Sequence, residues 1–300
     1  MSTHSGAVAE YGGSTTAVQY HYDVGREFYQ LWLDETMTYS CALWNLGDDA
    51  EPLETAQHRK IDYHLDNARV KEGGSLLDIG CGWGGLVSRA SRTRRPGAMV
   101  GLTLSEDQAA YVDALRLPGM QVRLESWTHH KPVRAYDSIV SVGAFEHFAK
   151  PEDSVAQKIE VYRDFLGRCS QWLTPDGRMS LQTIAYGTMK REEASEFINN
   201  EIFPSADLPT LGEVVEACAG IFEICAVRND RLHYARTFSA WAENLRRRHK
   251  EAVDLVGEET TRRYERYLTQ SSVGFLMGKI GLLRFELRPV ARKWSALAKP

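Results

Sequence analysis

The pattern of apolar and polar positions divides the N-terminal quarter of the chain in two. Residues 1–19 are rich in Gly, Ser, Thr and Ala. They hold almost no large apolar residue whose burial could offset the entropy of ordering them, so we expect this stretch to be mobile. Residues 20–74 are rich in aromatic residues, and their apolar positions recur on a helical period. This segment is predicted to contain helices over Asp23–Leu33 and Thr55–Ala68.

Short apolar runs alternate with helix-periodic segments over residues 75–287. Such alternation is typical of an α/β fold with a doubly wound, mainly parallel sheet. The predicted strands are Ser75–Ile79, Ala98–Leu102, Gln121–Leu124, Tyr136–Val142, Arg178–Ile184, Phe222–Val227 and Leu283–Leu287. The helices predicted between them are Glu106–Leu117, Asp153–Leu173 and Leu211–Ala219, with another beginning near Leu86.

The regular alternation breaks after Ile184. The periodicity predicts an extra helix over Met189–Ile202, and two more, over Ala235–Arg248 and Glu258–Leu276, before the closing strand. We therefore expect inserted lid helices at about 188–203 and 235–280. Residues 288–300 are expected to form a tail.

Composition and charge exclude several classes of protein. The 300 residues carry 36 Lys and Arg against 40 Asp and Glu, a net charge of −4, and 43% are hydrophobic. This excludes collagen, coiled coils and a basic nucleic-acid tail.

The run Arg246–Lys250 is surrounded by acidic residues, which favours a solvated helix face. No apolar run approaches the roughly 18 residues of a membrane span, and no export signal is visible, so a cytoplasmic location is expected.

The five cysteines are widely spaced and form no CxxC pair. We expect free thiols and no metal site.

A glycine-rich loop follows the first predicted strand. Gly80, Gly82 and Gly85 match GxGxxG between a strand and a helix, which is the setting of a nucleotide-binding loop. An NAD site would also require an acid at the end of the next strand. The acids nearest that position fit the first turn of a helix capped by Ser105 instead. Asp78, just before the glycines, suits a ligand that carries an amine as well as a carboxylate, as S-adenosylmethionine (SAM) does.

Seven ordered motifs between about Tyr20 and Leu287 resemble one enzyme family. They are HYD (21–23), TYSCALW (38–44), LLDIGCGWGG (76–85), GLTLSEDQ (101–108), SVGAFEHF (141–148), EIFP (201–204) and HYARTFSAW (233–241). The chain is similar to the cyclopropane fatty acid synthase family of SAM-dependent methyltransferases, and most similar to its short mycolic acid cyclopropane synthase branch. The resemblance implies a class I, Rossmann-like methyltransferase fold with N-terminal helices covering the cofactor.

The resemblance also implies a set of cofactor-binding residues, with Trp127 packing on the adenine. These are Tyr39, Ser40, Gly80, Gly82, Thr103, Gln108 and Trp127, to which we add Asp78, Leu104 and Ser126 as neighbours at the same strand ends. A structural role for Trp127 as a core anchor is the alternative. Thr103 and Gln108 replace the acid of an NAD site.

The expected reaction site departs from the family at one position. The family holds a bicarbonate ion with a Cys, a Glu, a His, a backbone Ile group and a Tyr, and by the resemblance Cys41, Glu146, Ile184 and Tyr234 match. The family His falls on Gln182, which cannot carry a positive charge, so we expect a weaker hold on bicarbonate. Glu146 would then be the proton acceptor, with His147 beside it. Cys41 would shape the site, because no base is recognisable next to it.

The expected substrate is lipid-like or isoprenoid and is either soluble or carrier-bound. An alkene that accepts a methyl group becomes a carbocation, which aromatic faces and a carboxylate can stabilise. The predicted substrate pocket comprises Trp44, Phe145, Phe148, Ile184, Tyr186, Phe203 and Phe275. The Gln182 departure makes alkene C-methylation the main expectation. The alternatives are cyclopropane formation on an unsaturated acyl chain, N-methylation of a small molecule, and a SAM-binding module without catalysis. Oligomeric state stays open.

Overall fold

The computed structural model describes residues 24–190 and 207–290. Several sequence predictions lie outside these ranges: the mobile N-terminus, the HYD and EIFP motifs, nearly all of the predicted helix Met189–Ile202, Phe203, and the tail beyond 290.

Seven strands form a single mixed sheet in the described part of the chain. They are β1 (Ser75–Ile79), β2 (Ala98–Thr103), β3 (Met120–Leu124), β4 (Tyr136–Val142), β5 (Leu173–Tyr186), β6 (Phe222–Asn229) and β7 (Ile280–Pro289). Their order is β3-β2-β1-β4-β5-β7-β6, with β1 to β5 parallel and β7 antiparallel to both of its neighbours. The predicted α/β doubly wound sheet is confirmed, and the reversal of strand order beside β1 creates the crevice in which such sheets bind ligands.

Nine α-helices accompany these strands within the described ranges. They are α1 (Arg26–Gln30), α2 (Leu53–Asn67), α3 (Gly85–Thr93), α4 (Glu106–Ala114), α5 (Val155–Trp172), α6 (Leu211–Cys218), α7 (Arg231–Arg247), α8 (His249–Val256) and α9 (Glu258–Leu276). Their starts follow the capping chemistry of the sequence. Ser154 and Thr210 form capping boxes with Gln157 and Glu213, and the Ser105 hydroxyl accepts from the Gln108 N–H.

Two predictions near the ends of the chain need correction. The first helix spans only Arg26–Gln30, because Gly25 before it has a positive φ of 84° and Leu31 and Trp32 after it form a turn. The region predicted as two late helices holds three. Arg248, at φ −110° and ψ 24°, interrupts the helical pattern, and Gly257, at φ 81°, separates α8 from α9. Residues flanking the basic run do pair with it, as in the ion pair between Arg247 and Glu243, so that run is a solvated helix face.

Neighbouring strand residues pack into separate cores on the two sides of the sheet. In β1, Leu76 packs with α2 and α3, whereas Leu77 packs with α5 and α6. A third apolar cluster joins the N-terminal segment to α7 and α9; there the ring centroids of Phe28 and Tyr264 are 4.9 Å apart. Among the described helices, none is both long and apolar enough to cross a bilayer.

Candidate active site

The glycine loop after β1 has a backbone that only glycine adopts without strain. Gly80 and Gly82 have φ angles of +82° and +53°. A Cβ on Gly80 would lie 2.7 Å from the Cβ of Ala144, on the turn that follows β4. A Cβ on Gly85 would lie 2.5 Å from Oγ1 of Thr38, in the N-terminal segment. The loop is therefore in close contact with two other parts of the site.

A cavity of about 190 Å³ opens at the carboxyl ends of β1 to β4. Its lining includes all ten predicted cofactor-binding residues: Tyr39, Ser40, Asp78, Gly80, Gly82, Thr103, Leu104, Gln108, Ser126 and Trp127. The structure thus brings together residues that lie up to 88 positions apart (127 − 39) in the sequence. The Asp78 carboxylate could pair with the amine of SAM. The glycine-rich loop after β1 lets a part of SAM lie close to the backbone.

Hydrogen bonds of the Thr103 hydroxyl hold the cavity wall at the end of β2. The Thr103 hydroxyl donates to Oε1 of Gln108 at 2.7 Å, and the Ser105 N–H donates to the same hydroxyl at 3.1 Å. Trp127 lines the cavity, yet its ring also packs 5.2 Å from Phe148 and 5.3 Å from Phe165. The indole therefore packs in the core as a structural anchor and also borders the cavity, where contact with an adenine stays a prediction.

A buried lysine that sequence analysis did not identify lies in the same cavity wall. Lys60 is 2% exposed, and its ammonium donates to Oγ of Ser40 at 2.7 Å. Burial, reinforced by the nearby Arg284, lowers its pKa to about 7. A sequence signal did exist, because Lys60 and His64 share with Ile61 and Leu65 the apolar face of α2.

Asp78 faces the cavity from β1. Its Oδ2 is buried and accepts no hydrogen bond from the described residues. Burial raises the pKa of this carboxyl to about 7, and the charge of Lys60 partly offsets that rise. A buried carboxylate oxygen without a donor is costly unless a ligand supplies one.

Glu146 lies one residue from the cavity lining, in the 3₁₀ turn Phe145–His147 that follows β4. Its Oε1 accepts from the Ile184 N–H at 2.6 Å, whereas Oε2 is buried without a hydrogen-bond partner in the described part of the chain. Burial raises its pKa to about 7 against the opposing effect of the Ile184 N–H. The carboxyl is thus held firmly by one oxygen and available through the other.

Gln182 belongs to a hydrogen-bond network that sequence analysis did not predict. Its Oε1 accepts from Nε of Arg284 at 2.8 Å and lies 3.1 Å from Nε2 of His64. Since an amide oxygen can only accept, His64 carries its proton on Nε2, and its Nδ1 accepts from the Ser180 hydroxyl at 2.8 Å. Burial and the charge of Arg284 hold the pKa of His64 well below its usual range, so this imidazole is neutral.

Arg284, another residue missed from sequence, supplies a positive charge at this place. It is fully buried on β7, pairs with Asp230, and donates through Nη2 to the carbonyl oxygens of Cys41 and Ala42, each at 3.2 Å. The same nitrogen lies 3.5 Å from Sγ of Cys41. With Gln182 in place of the family histidine, a cation therefore still lies beside Cys41 and Gln182, where the reaction site is predicted.

Two of the remaining predicted catalytic groups, Cys41 and His147, are uncharged near neutral pH. Burial raises the pKa of the Cys41 thiol to about 12, which agrees with a shaping role and not a nucleophilic one. Burial lowers the pKa of His147, a cavity-lining residue, to about 4. Tyr234 packs 4.5 Å from Phe275 and 4.6 Å from Phe238, in the cluster that also contains Cys41 and Ile184.

The predicted substrate pocket is only partly assembled. Phe148 lines the cavity, and Ile184 and Phe275 pack with Tyr234. Phe145 instead stacks 4.4 Å from Tyr162 in the sheet core. Trp44 donates from Nε1 to Thr237 under the guanidinium of Arg236, in a separate small cluster. The Tyr186 hydroxyl donates to Asp207 at 2.8 Å. Phe145 and Trp44 therefore depart from the predicted pocket, because each is held in another apolar cluster.

Across residues 24–190 and 207–290, no three His, Cys, Asp or Glu side chains are grouped so that they could hold a metal ion. All five cysteines are free thiols, as expected.

Known proteins match this chain over nearly its whole length. The family profile described as mycolic acid cyclopropane synthetase matches residues 12–285. Cyclopropane mycolic acid synthase MmaA2 of Mycobacterium tuberculosis is 38% identical over 290 residues, which is 90% of this chain and 96% of that protein. The SAM-dependent methyltransferase UmaA of the same species is 37% identical over 284 residues, 89% of this chain and 94% of its own length.

Solved structures agree. The cyclopropane synthase MmaA2 superposes with a TM-score of 0.83 at 35% identity, and the mycolic acid cyclopropane synthase CmaA1, complexed with SAH and CTAB, with a TM-score of 0.82 at 34% identity. Each comparison covers 93% of this chain and 99% of the other. The fold, the cavity and these likenesses agree, and the chain belongs to the mycolic acid cyclopropane synthetase family of SAM-dependent methyltransferases.

Proposed function

We propose that this enzyme adds a methylene unit from SAM across the double bond of an unsaturated, lipid-like acyl chain and closes a cyclopropane ring. The observation that carries the proposal is the Glu146 carboxylate, whose Oε2 is buried and has no donor among the described residues, next to the cofactor cavity. The names of MmaA2 and CmaA1, and the CTAB amphiphile in the CmaA1 complex, support an alkyl-chain substrate. They support ring closure better than the alkene methylation that we expected from Gln182.

SAM supplies an electrophilic methyl group when it is bound. An alkene carbon that accepts this group leaves a carbocation on its neighbour, and the ring closes when the added methyl loses a proton. Glu146 can take that proton on Oε2, while the Ile184 N–H keeps its other oxygen in place. With a pKa of about 7 the group is partly ionised near neutral pH, and accepting a proton removes a buried negative charge.

Aromatic and apolar residues complete the site. Tyr234, Phe275 and Ile184 form one buried cluster with Cys41, which excludes water that would otherwise trap a carbocation. Bicarbonate, the family's proton acceptor, could be held here by the groups around Cys41 and Gln182. The buried charge of Arg284 favours an anion at this place, although Asp230 neutralises part of it.

Alkene C-methylation is the second candidate, and a specific observation favours it. Both donors to Gln182 Oε1 come from the protein, so Gln182 can offer only N–H groups and cannot act as a base. If bicarbonate binds weakly as a result, a proton next to the cation can leave instead of one from the added methyl. The product is then a methylated alkene.

A single labelling experiment separates the candidates. We would incubate the enzyme with SAM carrying a fully deuterated methyl group and with unsaturated acyl, isoprenyl diphosphate and amine acceptors. A cyclopropane keeps two of the three deuterium atoms, whereas C-methyl and N-methyl products keep all three. NMR then places the new carbon.

Ring closure predicts an acyl product that keeps two deuterium atoms and shows cyclopropane carbons. Retention of all three on an alkene carbon would overturn this proposal in favour of C-methylation. Retention of all three on nitrogen would do so in favour of N-methylation. Binding of SAM without S-adenosylhomocysteine release, with every acceptor tried, would favour the non-catalytic module.

A further inference from the structure

Lys60 is a buried cation whose charge is not matched by an adjacent anion in the described part of the chain. Its side chain projects from α2 into the cavity wall, and among the residues that the structure describes no carboxylate lies within ion-pair distance of it. Its ammonium donates to a neutral hydroxyl, that of Ser40. Burying an ammonium in this way is costly unless another charge joins it.

Asp78 presents the opposite charge on the same cavity. Lys60 and Asp78 attract each other electrostatically but are not in contact, and Oδ2 of Asp78 has no donor among the described residues. The cavity therefore carries a cation and an anion on its wall, each incompletely compensated. A ligand that carries both charges a short distance apart would compensate both.

Ser40 connects Lys60 to the cavity space. Its Oγ accepts the hydrogen bond from Lys60, so its own hydroxyl hydrogen remains to be donated to another acceptor. A carboxylate placed there would receive one bond from Ser40 and the electrostatic attraction of Lys60. The N-terminal segment and α2 would then bind the same group together.

We infer that Lys60 is a cofactor-anchoring residue, which with Ser40 holds the carboxylate of the amino-acid part of SAM and S-adenosylhomocysteine (SAH), while Asp78 holds the ammonium.

A purely structural role for Lys60 is already filled by its neighbour. Gln57, one turn earlier on α2, donates from Nε2 to the main-chain oxygen of Ser40 at 2.9 Å and to that of Thr38 at 3.3 Å. These bonds fix the backbone of the segment. Lys60 bonds to the Ser40 side chain and not to that backbone, so its charge is available to act on a ligand.

The test compares three ligands by isothermal titration calorimetry. SAH carries both charges, decarboxylated SAH keeps only the ammonium, and 5′-methylthioadenosine has neither. The wild-type protein is expected to bind SAH about 10- to 100-fold more tightly than the decarboxylated compound. Lys60→Met should weaken SAH by a similar factor, leave the other two ligands unchanged, and so bind SAH and decarboxylated SAH almost equally. Asp78→Asn should weaken both ammonium-bearing ligands and leave 5′-methylthioadenosine unchanged.

Two controls separate anchoring from folding. Lys158→Met removes another buried lysine, one paired with Asp207 and Glu213 away from this cavity, and should not change the ratio of SAH to decarboxylated SAH affinity. Gln57→Leu loosens the segment and should weaken all three ligands alike. Ser40→Ala supplies a milder variant should Lys60→Met fold poorly, and should lose part of the discrimination.

Equal affinity of the wild-type protein for SAH and decarboxylated SAH would overturn the inference without any variant. So would a Lys60→Met protein that weakens all three ligands in proportion, which is the signature of a structural role. The readout needs no acceptor substrate, so its result is independent of whether ring closure is the reaction.

Discussion

At the scale of single residues, three acidic or basic groups have pKa values moved close to neutrality by burial. Glu146, Asp78 and Lys60 each have a pKa of about 7, and each either lines the cavity or adjoins it. Groups with such values exchange protons readily near physiological pH and tend to cluster at functional sites. Burial away from water is the main cause of each pKa shift. The charge of a bound ligand, or a proton taken from a substrate, can therefore offset that shift.

Replacing Glu146 by Gln should separate catalysis from cofactor binding. We expect product formation to fall by a factor of about 100 or more, because the proton acceptor is lost. SAH affinity should stay within a factor of about two, since the side chain is outside the cavity lining. Product yield under single-turnover conditions and SAH calorimetry measure the two effects.

The same variant should be more stable than the wild type above neutral pH. A carboxyl whose pKa rises from 4.5 to about 7 on folding stabilises the fold fully below 4.5, and that contribution is lost as pH rises through about 7. Above this value the wild type carries a buried charge that the Glu146→Gln protein lacks, so the free energy of unfolding should increase by about 1 to 3 kcal/mol. Urea titrations at about pH 8 and pH 5 test this, with exposed Glu216→Gln as control. Undiminished product formation by the Glu146→Gln variant would show that Glu146 is not the base.

At the scale of secondary-structure elements, the site depends on contacts between segments that are distant in sequence. Arg284 links β7 to β5 through Gln182, to the start of α7 through Asp230, and to the N-terminal segment through the Cys41 carbonyl. The glycine loop after β1 rests against the turn after β4. These contacts set where Cys41 and Glu146 lie relative to the cavity.

Removing Arg284 alone should be more harmful than removing the whole ion pair. Arg284→Met leaves Asp230 buried with only its weaker partners Arg228 and His233, and should cost about 3 kcal/mol of unfolding free energy. The double variant Arg284→Met with Asp230→Asn should recover part of that loss. Arg178→Met is the matched control, because this buried guanidinium donates to main-chain carbonyls near its own position. Equal stability of the single and double variants would contradict the pairing argument.

The contact between the glycine loop and the β4 turn can be tested with a compensating pair. Gly80→Ala places a Cβ 2.7 Å from that of Ala144 and also strains a φ of +82°, so it should weaken both stability and SAH affinity. Adding Ala144→Gly removes the collision and leaves only the strain, about 1 to 2 kcal/mol. Thermal denaturation and SAH calorimetry compare the two proteins. If Ala144→Gly restores nothing, steric contact is not the cause.

At the scale of the whole molecule, the cavity lies between two separately packed parts of the protein. The sheet and its loops form one side, and the N-terminal segment, bound to α7 and α9 through Trp32, Trp241 and Tyr267, forms the other. The hydroxyl of Tyr39, a cavity-lining residue, lies 2.8 Å from that of Tyr267 on α9. Cofactor binding should therefore stabilise both sides at once.

Hydrogen exchange should show this coupling directly. On adding SAH we expect slower amide exchange in Met37–Ser40, Gly80–Gly85 and Gly143–Phe148, three separate parts of the chain whose residues line or adjoin one cavity. The edge strand β6, which lies at the far side of the sheet, should exchange at an unchanged rate apart from global unfolding. Protection limited to the glycine loop would mean that the N-terminal segment does not take part in binding.

Local patterns in the sequence predicted the fold, and the family resemblance predicted most of the residues that line the cavity. Strands β1 and β4 begin and end at the predicted residues, because apolar runs bounded by turn signals are local features. Seven of the ten predicted cavity residues came from motifs that carry the family resemblance, and Asp78, Leu104 and Ser126 were added from their places at strand ends. The short first helix and the extra helix α8 were not predicted correctly: the helical period continues through Leu31 and Trp32 beyond the end of α1 at Gln30, and no helix was predicted between Arg248 and Glu258.

Only the tertiary structure decided the chemistry around that cavity. Gln182 by itself suggested a missing charge, but Arg284, more than 100 positions later, lies against it and carries one. Lys60 and Asp78 likewise line one cavity from separate elements, and burial changes their pKa values toward neutrality. The amino-acid sequence by itself determined most of the elements that form and the conformation of the glycine loop that lines the cavity, since periodicity and glycine conformation act over a few residues. Which distant side chains meet, and how strongly each is desolvated, depends on packing of the whole chain.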